Sequence, residues 1–219
     1  MFGIILVLLL ILTFLIICIP YEWFSSEQHP QIKLKFTLRD YCIGQFVIKR
    51  NRMNGNIKIN QEIVKENLLV LNSILKKYNI DFWLSEGTAL GAVRDNSIIP
   101  WDDDLDISFY YSEYYRFIKL ALPDLLNNDF ILSTVGQQGT FIAFIRKGEK
   151  IDVDIVKPDG KCIANRTKNT NYSTDCNELI KYLGNMRNIE FLGTTFKVPG
   201  DDYFEYLYSS TWKTPSKSK

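Results

Sequence analysis

Hydrophobic and polar positions follow different patterns in successive parts of the chain. An apolar run from Phe2 to Ile19 contains no charged residue. At about 1.5 Å of rise per residue it is long enough to cross a bilayer as one helix. Residues 21–59 are irregular and predict a stem or linker, with one strand at Gln45–Ile48. We therefore expect an anchor over residues 1–20 and a folded domain over residues 60–219.

The predicted domain begins with a helical period. Asn60 is expected to cap a helix whose apolar residues recur at steps of three and four: Val64, Leu68, Leu71, Leu75 and Tyr78. A short strand, Phe82–Leu84, and a helical turn, Thr88–Arg94, follow it. A longer strand is predicted over Asp104–Tyr110.

A second helix and three strands are predicted after Tyr110. Ser112 is expected to cap the helix, which runs to about Asn127 and is kinked or ended early by Pro123. The three strands are separated by short turns and should be antiparallel neighbours; they are Phe130–Val135, Thr140–Arg146 and Ile151–Val156. This order of helices and strands predicts an α+β domain.

Composition argues against several kinds of partner and catalytic site. The chain has 26 basic and 25 acidic residues and a net charge of +1, which gives no broad basic surface and argues against nucleic acid as a partner. The single histidine, His29, lies in the predicted stem. A Ser-His-Asp triad or a histidine-bound zinc site is therefore not expected. The sequence also lacks a C-x-x-C pair and a P-loop.

The segment after the predicted anchor has features of a secreted or lumenal protein. Asn165 and Asn171 each begin an N-x-[ST] glycosylation sequence, although a polar, asparagine-rich segment also produces such triplets by chance. Cys162 and Cys176 flank both sites and could form a disulfide in an oxidising compartment. We favour an uncleaved anchor over a cleaved signal peptide, because no A-x-A-like site follows the apolar run.

The densest group of functional residue types lies between residues 85 and 107. Gly87 and Thr88 form a glycine turn, and Asp104 and Asp106 alternate on the predicted strand, so their carboxylates share one face. Hard oxygen ligands of this kind suit Mg²⁺ or Mn²⁺ carrying a diphosphate. Arg94 could contact phosphate or pair with Asp95 or Asp103. An EF-hand is excluded, because Ile107 occupies the place that requires glycine.

These residues resemble the motifs of the LicD and fukutin-like phosphotransferases. Trp83 to Arg94 is similar to the family's W-L-x-x-G-T-L-L-G-A-x-R, and Ile99 to Ile107 to its I-P-W-D-D-D-x-D-I. Val153 to Asp159 resembles V-D-I-F-x-x-D, and Tyr208 to Pro215 resembles Y-G-x-x-W-x-x-P, with Ser209 in place of glycine. Glu86 replaces the small residue that is common at its position.

The resemblance implies a nucleotidyltransferase-like mixed sheet with flanking helices, and a metal-dependent phosphotransferase. In this family a phosphoalcohol, such as phosphocholine or ribitol phosphate, passes from a CDP-linked donor to a sugar hydroxyl. The motif selects Asp154 as the third acid beside Asp104 and Asp106, and Asp152 remains the alternative. Asp154 is also the expected proton acceptor. Gly87, Thr88, Arg94 and Trp101 are expected to contact the donor, although Trp101 could equally be a core residue.

Two other functions remain open on the sequence. One is a DxD glycosyltransferase, which is disfavoured because only about forty residues separate Asn60 from Trp101, too few for a nucleotide-binding βαβ region ahead of the DxD. The other is a catalytically silent subunit that supports a partner transferase. A homo-oligomer is also open. The expected location is a membrane-anchored domain in the lumen of the Golgi or endoplasmic reticulum, or outside the cell.

Overall fold

The structure is a computed structural model that describes residues 59–135, 141–157 and 180–216, together with the backbone of two strands near the N-terminus. These two strands, β1 (Pro20–Phe24) and β2 (Lys33–Thr37), pair antiparallel within the predicted stem, where no hairpin was expected. The predicted anchor and the strand Gln45–Ile48 lie outside the described residues. No helix among the described residues has the length and apolar character needed to cross a membrane.

The first helix forms as its apolar period predicts. Helix α1 (Gln61–Lys77) begins after Asn60, whose side-chain oxygen accepts a hydrogen bond from the Ile63 backbone N–H at 3.2 Å. Its apolar face is buried in the core, and Tyr78 is the residue at its C-terminal cap. Strand β3 (Phe82–Leu84) and helix α2 (Glu86–Arg94) follow, so α2 begins two residues before the predicted turn.

The helical region after β4 (Asp104–Tyr110) is irregular. A 3₁₀ turn (Tyr111–Glu113) leads into α3 (Tyr114–Arg116), a π-helical turn (Phe117–Ala121) and α4 (Leu122–Asn127). Ser112 lies inside the 3₁₀ turn and makes no capping bond, so the prediction that it caps a helix is wrong. Pro123 is in the first turn of α4, where its missing N–H is tolerated, and the π-helical turn directly precedes α4.

Five strands form one mixed sheet in the order β3-β4-β7-β6-β5. The last three are β5 (Ile131–Val135), β6 (Phe141–Arg146) and β7 (Glu149–Val156), and they pair antiparallel as predicted. The central pair, β4 and β7, is parallel, with Asp106 opposite Asp152. The predicted α+β class and mixed sheet are confirmed.

The C-terminal part packs onto the edge of this sheet. Strands β8 (Arg187–Phe191) and β9 (Thr194–Val198) form a hairpin, and Phe196 of β9 meets Phe82 of β3 edge to face at 6.4 Å. Helix α5 (Asp201–Tyr208) follows the hairpin. Trp212 is buried against Phe204, so this segment packs onto the domain.

Ser209 occupies a backbone conformation that favours glycine. Its φ is 69° and its ψ is 173°, a region that side chains rarely adopt. This explains why the similar family motif has glycine at this point. Glu86, at the start of α2, also has a positive φ of 42°.

Candidate active site

The site lies where the central strands β4 and β7 run side by side. Along β4 the residues alternate: Leu105, Ile107 and Phe109 enter the hydrophobic core, while the residues between them face the other way. Asp104 and Asp106 are therefore on the same face, as predicted, and both are buried. The parallel register places Asp152 of β7 beside Asp106 on that face.

Three carboxylates meet here, from Asp104, Asp106 and Asp152, which we call the acid cluster. Each offers an oxygen, and these oxygens lie within 4.8 Å of one another. Asp154, which the motif selected, lies opposite Ser108, one step farther along the same face and roughly 6–7 Å along the strand. The geometry thus favours Asp152, the alternative that the sequence left open, as the third acid of the cluster.

The start of α2 is hydrogen-bonded directly to the strand that carries the acids. The Thr88 hydroxyl accepts a bond from the Asp106 backbone N–H at 2.8 Å, and the Ser85 N–H donates to the Asp106 carbonyl at 3.1 Å. The Ser108 hydroxyl donates to the Ser85 hydroxyl at 2.9 Å. These bonds hold the glycine turn against the acid cluster.

Gly87 is required by the close approach of Asp102. A Cβ at Gly87 would overlap the Asp102 Oδ2 atom, so any other residue there would push this carboxylate out of its present position. Burial, with Asp104 and Asp103 adding negative charge, raises the pKa of Asp102 to about 7. Asp102 is therefore a fourth acid at the site, and no sequence pattern distinguishes it from its neighbours.

Charge is concentrated and poorly compensated in the cluster. Burial raises the pKa of Asp106 well above its usual range, and the nearby charges of Asp104, Glu86 and Asp152 raise it further. Lys150 donates to Asp104 Oδ2 at 2.9 Å and to Asp152 Oδ2 at 2.6 Å. Burial alone would lower the pKa of Lys150, but these two carboxylates raise it above its ordinary value.

The C-terminal helix α5 contributes a residue that the sequence analysis missed. Tyr203 is buried, and its hydroxyl accepts a hydrogen bond from the Glu86 backbone N–H at 3.3 Å. Burial raises the pKa of the Tyr203 phenol, and the charges of Glu86, Asp106 and Asp154 contribute to this shift. No motif marks Tyr203, because its proximity depends on how the last helix packs.

The structure also shows where Arg94, Trp101 and Asp103 lie. The Arg94 side chain is 7% exposed, and its guanidinium makes a two-bond pair with Asp95, at 2.9 and 2.7 Å, which is the predicted alternative to phosphate contact. Trp101 is 39% exposed, which contradicts a core role and leaves stacking open. Asp103, the other predicted partner of Arg94, precedes β4 and is exposed.

The donor set of the acid cluster fits a divalent cation. Three converging carboxylates are hard oxygen ligands, which suit Mg²⁺ or Mn²⁺, and their excess negative charge would be offset by two positive charges. Asn165, Asn171, Cys162 and Cys176 lie outside the described residues, so the predicted glycosylation and disulfide remain predictions.

Comparison with known proteins shows which family the chain matches. A family model described as "LicD/FKTN/FKRP, nucleotidyltransferase domain" matches residues 79–201, more than half of the chain. The lipopolysaccharide cholinephosphotransferase LicD of Haemophilus influenzae is 39% identical over 61 residues, which are 27% of this chain and 23% of LicD. Human ribitol-5-phosphate transferase FKTN is 29% identical over 163 residues, which are 70% of this chain and 34% of FKTN.

The chain therefore spans about a quarter to a third of the length of these two relatives. Among solved structures, the lincomycin-bound lincosamide antibiotic adenylyltransferase LnuA is 12% identical, with a TM-score of 0.46, and the match covers 70% of this chain and 89% of LnuA. The antibiotic-resistance factor ANT(2'')-Ia is 14% identical, with a TM-score of 0.43, and the match covers 66% of this chain and 70% of the ANT(2'')-Ia chain. A likeness at this level carries no inference about activity.

Proposed function

Because this chain belongs to the family of LicD/FKTN/FKRP nucleotidyltransferase domains, we propose that it transfers a phosphoalcohol group from a CDP-linked donor to a glycan hydroxyl. Phosphocholine and ribitol phosphate are the groups that the names of LicD and FKTN suggest. The observation that carries the proposal is the acid cluster, which is buried and bonded to the glycine turn of α2.

Mg²⁺ or Mn²⁺ is the proposed cofactor, held by Asp104, Asp106 and Asp152. When bound, such an ion neutralises diphosphate oxygens and helps to orient the reacting phosphorus. The backbone amides at the start of α2, near Gly87 and Thr88, suit the same anion, because a helix N-terminus carries partial positive charge.

The proposed reaction is a single displacement at phosphorus. The acceptor hydroxyl oxygen forms a bond to the phosphorus that bears the alcohol, the bond from that phosphorus to the bridging oxygen breaks, and CMP leaves. The hydroxyl proton passes to a carboxylate, for which we propose Asp154. Asp154 suits this role because it lies on the same face as the acid cluster but one position beyond it on β7.

The experiment that tests this function uses the purified chain with Mn²⁺, a glycan acceptor and either CDP-choline or CDP-ribitol. We expect release of CMP and a phosphoalcohol on the acceptor, both lost on chelation of the metal. Release of pyrophosphate from a nucleoside triphosphate, with the nucleotide attached to the acceptor, would identify a true nucleotidyltransferase instead. Sugar transfer from a nucleotide sugar would identify a glycosyltransferase, and inactivity with every donor would favour a supporting subunit.

The location of the protein is a separate proposal. We propose that the apolar run from Phe2 to Ile19 anchors the chain in a membrane and that the domain faces the lumen of the Golgi or endoplasmic reticulum, or the cell exterior. Carbonate extraction should leave the full-length chain in the membrane pellet, and glycosidase should increase its mobility if Asn165 or Asn171 is modified. A soluble protein of unchanged mobility would contradict this proposal.

A further inference from the structure

Lys150 is a cation built into the candidate metal site. It lies opposite Asp104 in the parallel register and two residues before Asp152 on β7, so all three side chains are on one face of the sheet. Its ammonium group contacts the Oδ2 atoms of both acids, at 2.9 and 2.6 Å. A lysine at this register position is therefore in contact with two of the three carboxylates of the acid cluster.

The ammonium group and a divalent ion would use the same side of the same carboxylates. The oxygens of the acid cluster lie within 4.8 Å of one another, which leaves little separation between two cations. At such distances in a buried site, repulsion between like charges is strong. Occupation of the cluster by a divalent ion and contact of Lys150 with both acids are therefore in conflict.

Side-chain length and exposure indicate whether Lys150 or the two aspartates would move when a divalent ion binds. The carboxylates of Asp104 and Asp152 are 11% and 2% exposed and are fixed on neighbouring strands, whereas the Lys150 side chain is 23% exposed. A four-carbon stem can move an ammonium group toward solvent at small cost, whereas the short aspartate side chains keep their carboxylates close to the backbone of β4 and β7. Lys150 is the group that can leave.

We propose that Lys150 is an internal competitor of the divalent ion: its ammonium group holds Asp104 and Asp152 together in the metal-free protein and releases them when the ion binds. Lys150 is thus a positioning residue that sets metal affinity. The inference rests on the metal site of the proposed function, but it concerns binding rather than turnover.

The test measures Mn²⁺ binding to the full chain in detergent, by electron paramagnetic resonance of unbound Mn²⁺. Lys150→Met removes the competing charge and keeps much of the stem. We expect its dissociation constant for Mn²⁺ to fall roughly tenfold or more, because the apparent constant is the intrinsic one divided by the fraction of competent protein. Lys150→Arg should bind Mn²⁺ no more tightly than the parent chain.

Lys147→Met is the matched control. Lys147 is also a lysine beside the β6–β7 turn, but it pairs with Glu66 and not with the acid cluster, so its loss should leave Mn²⁺ binding unchanged. Thermal unfolding gives a second readout: Lys150→Met should unfold at a lower temperature than the parent without metal, and saturating Mn²⁺ should remove this difference.

Equal or weaker Mn²⁺ binding by Lys150→Met, with normal binding by the parent chain, would overturn the inference. A Lys150→Met chain that folds only when Mn²⁺ is present supports the inference, and one that stays unfolded in saturating Mn²⁺ overturns it. Failure of both the parent chain and Lys150→Met to bind Mn²⁺ would overturn the metal site as well. Normal Mn²⁺ binding without CMP release would reject the proposed reaction alone.

Discussion

Two groups of charged residues contact the same sheet, one mostly buried and one partly exposed, and they differ in how well the charges are balanced. The first is the acid cluster with Lys150. The second, which we call the Arg146 network, comprises Arg146, Asn67, Glu66 and Lys147. In it the Arg146 guanidinium donates to Asn67 Oδ1 at 2.7 Å, to Glu66 Oε1 at 3.0 Å and to the Asn128 carbonyl at 2.9 Å, and Lys147 donates to Glu66 at 2.6 Å.

The pKa shifts in the two groups run in opposite directions. Hydrogen bonds from Lys147 and Arg146 lower the pKa of Glu66, whereas burial and like charge raise the pKa of Asp102 and Asp106. A balanced network satisfies its buried groups and stabilises the fold, while an excess of buried negative charge opposes folding unless a cation binds. The difference supports the acid cluster as the proposed functional site and a structural role for the Arg146 network.

Loss of an acid should produce the largest effect. Asp104→Asn, Asp106→Asn and Asp152→Asn each remove a charged oxygen ligand with little change in volume. We expect CMP release to fall by roughly 10³-fold, since preorganised charge at the reacting group contributes on this scale. The measurement is kcat/KM at saturating Mn²⁺, with thermal unfolding as a check on folding.

Asp154→Asn separates the two candidates for the third acid. Mn²⁺ affinity should fall strongly in Asp152→Asn but only slightly in Asp154→Asn, whose loss should appear in kcat. Glu62→Gln, an exposed residue of α1 that pairs with Lys65, serves as the control. Loss of Mn²⁺ binding in Asp154→Asn with normal binding in Asp152→Asn would reverse the assignment.

Disruption of the Arg146 network should affect stability instead. Arg146→Met leaves the buried Asn67 side chain and the Asn128 carbonyl without their donor, which should destabilise the fold by roughly 2–3 kcal/mol, since each unsatisfied buried group costs on the order of 1–3 kcal/mol. Urea unfolding measures this change. Lys147→Met, on an exposed pair, should have little effect. A stable Arg146→Met chain that fails to bind Mn²⁺ would contradict the structural role of the Arg146 network.

Asp102→Asn should stabilise the metal-free protein at high pH. Because folding raises the Asp102 pKa to about 7 from an ordinary value near 4, the folded state binds more protons in this interval, and the free energy of unfolding falls as pH rises from about 4 to about 7. Removing the charge should increase stability at pH 8 by about 1–2 kcal/mol, allowing for partial exposure. Urea unfolding at pH 5 and pH 8 measures this.

Without metal, the parent chain should lose stability between pH 5 and pH 8. Part of this loss should be absent in Asp102→Asn. The full loss of stability between pH 5 and pH 8 should persist in Glu62→Gln, whose side chain is exposed and lies outside the acid cluster. An unchanged pH dependence in Asp102→Asn would show that Asp102 does not contribute to the charge excess of the site.

The smallest effect is expected from the two glycines of α2. Gly87→Ala pushes against the Asp102 carboxylate, a movable side-chain group, and should lower kcat/KM about tenfold with little loss of stability, since misplaced site groups cost on the order of 10–100-fold. Gly91→Ala would place its Cβ 2.5 Å from the Ser97 carbonyl oxygen, a backbone atom, and should lower stability instead. Equal effects on stability would contradict the distinction.

Local patterns in the sequence determined much of the fold. The apolar period of α1 and the alternation of β4 predicted these elements correctly, because each depends on which side of one segment is buried. The placement of Asp104 and Asp106 on one face followed from the same alternation. The wrong prediction that Ser112 caps a helix shows the limit of such local patterns, because Ser112 lies inside a 3₁₀ turn.

Only the tertiary structure decided which distant side chains meet. The parallel pairing of β4 with β7 spans two helices and two strands of intervening chain, and its register places Asp152 beside Asp106 and brings Lys150 to Asp104. Tyr203 reaches the site through the packing of the last helix. A period of two cannot distinguish Asp152 from Asp154, because both lie on the same face of β7. Register is set by the whole sheet, so the sequence supplied the acids and the fold selected among them.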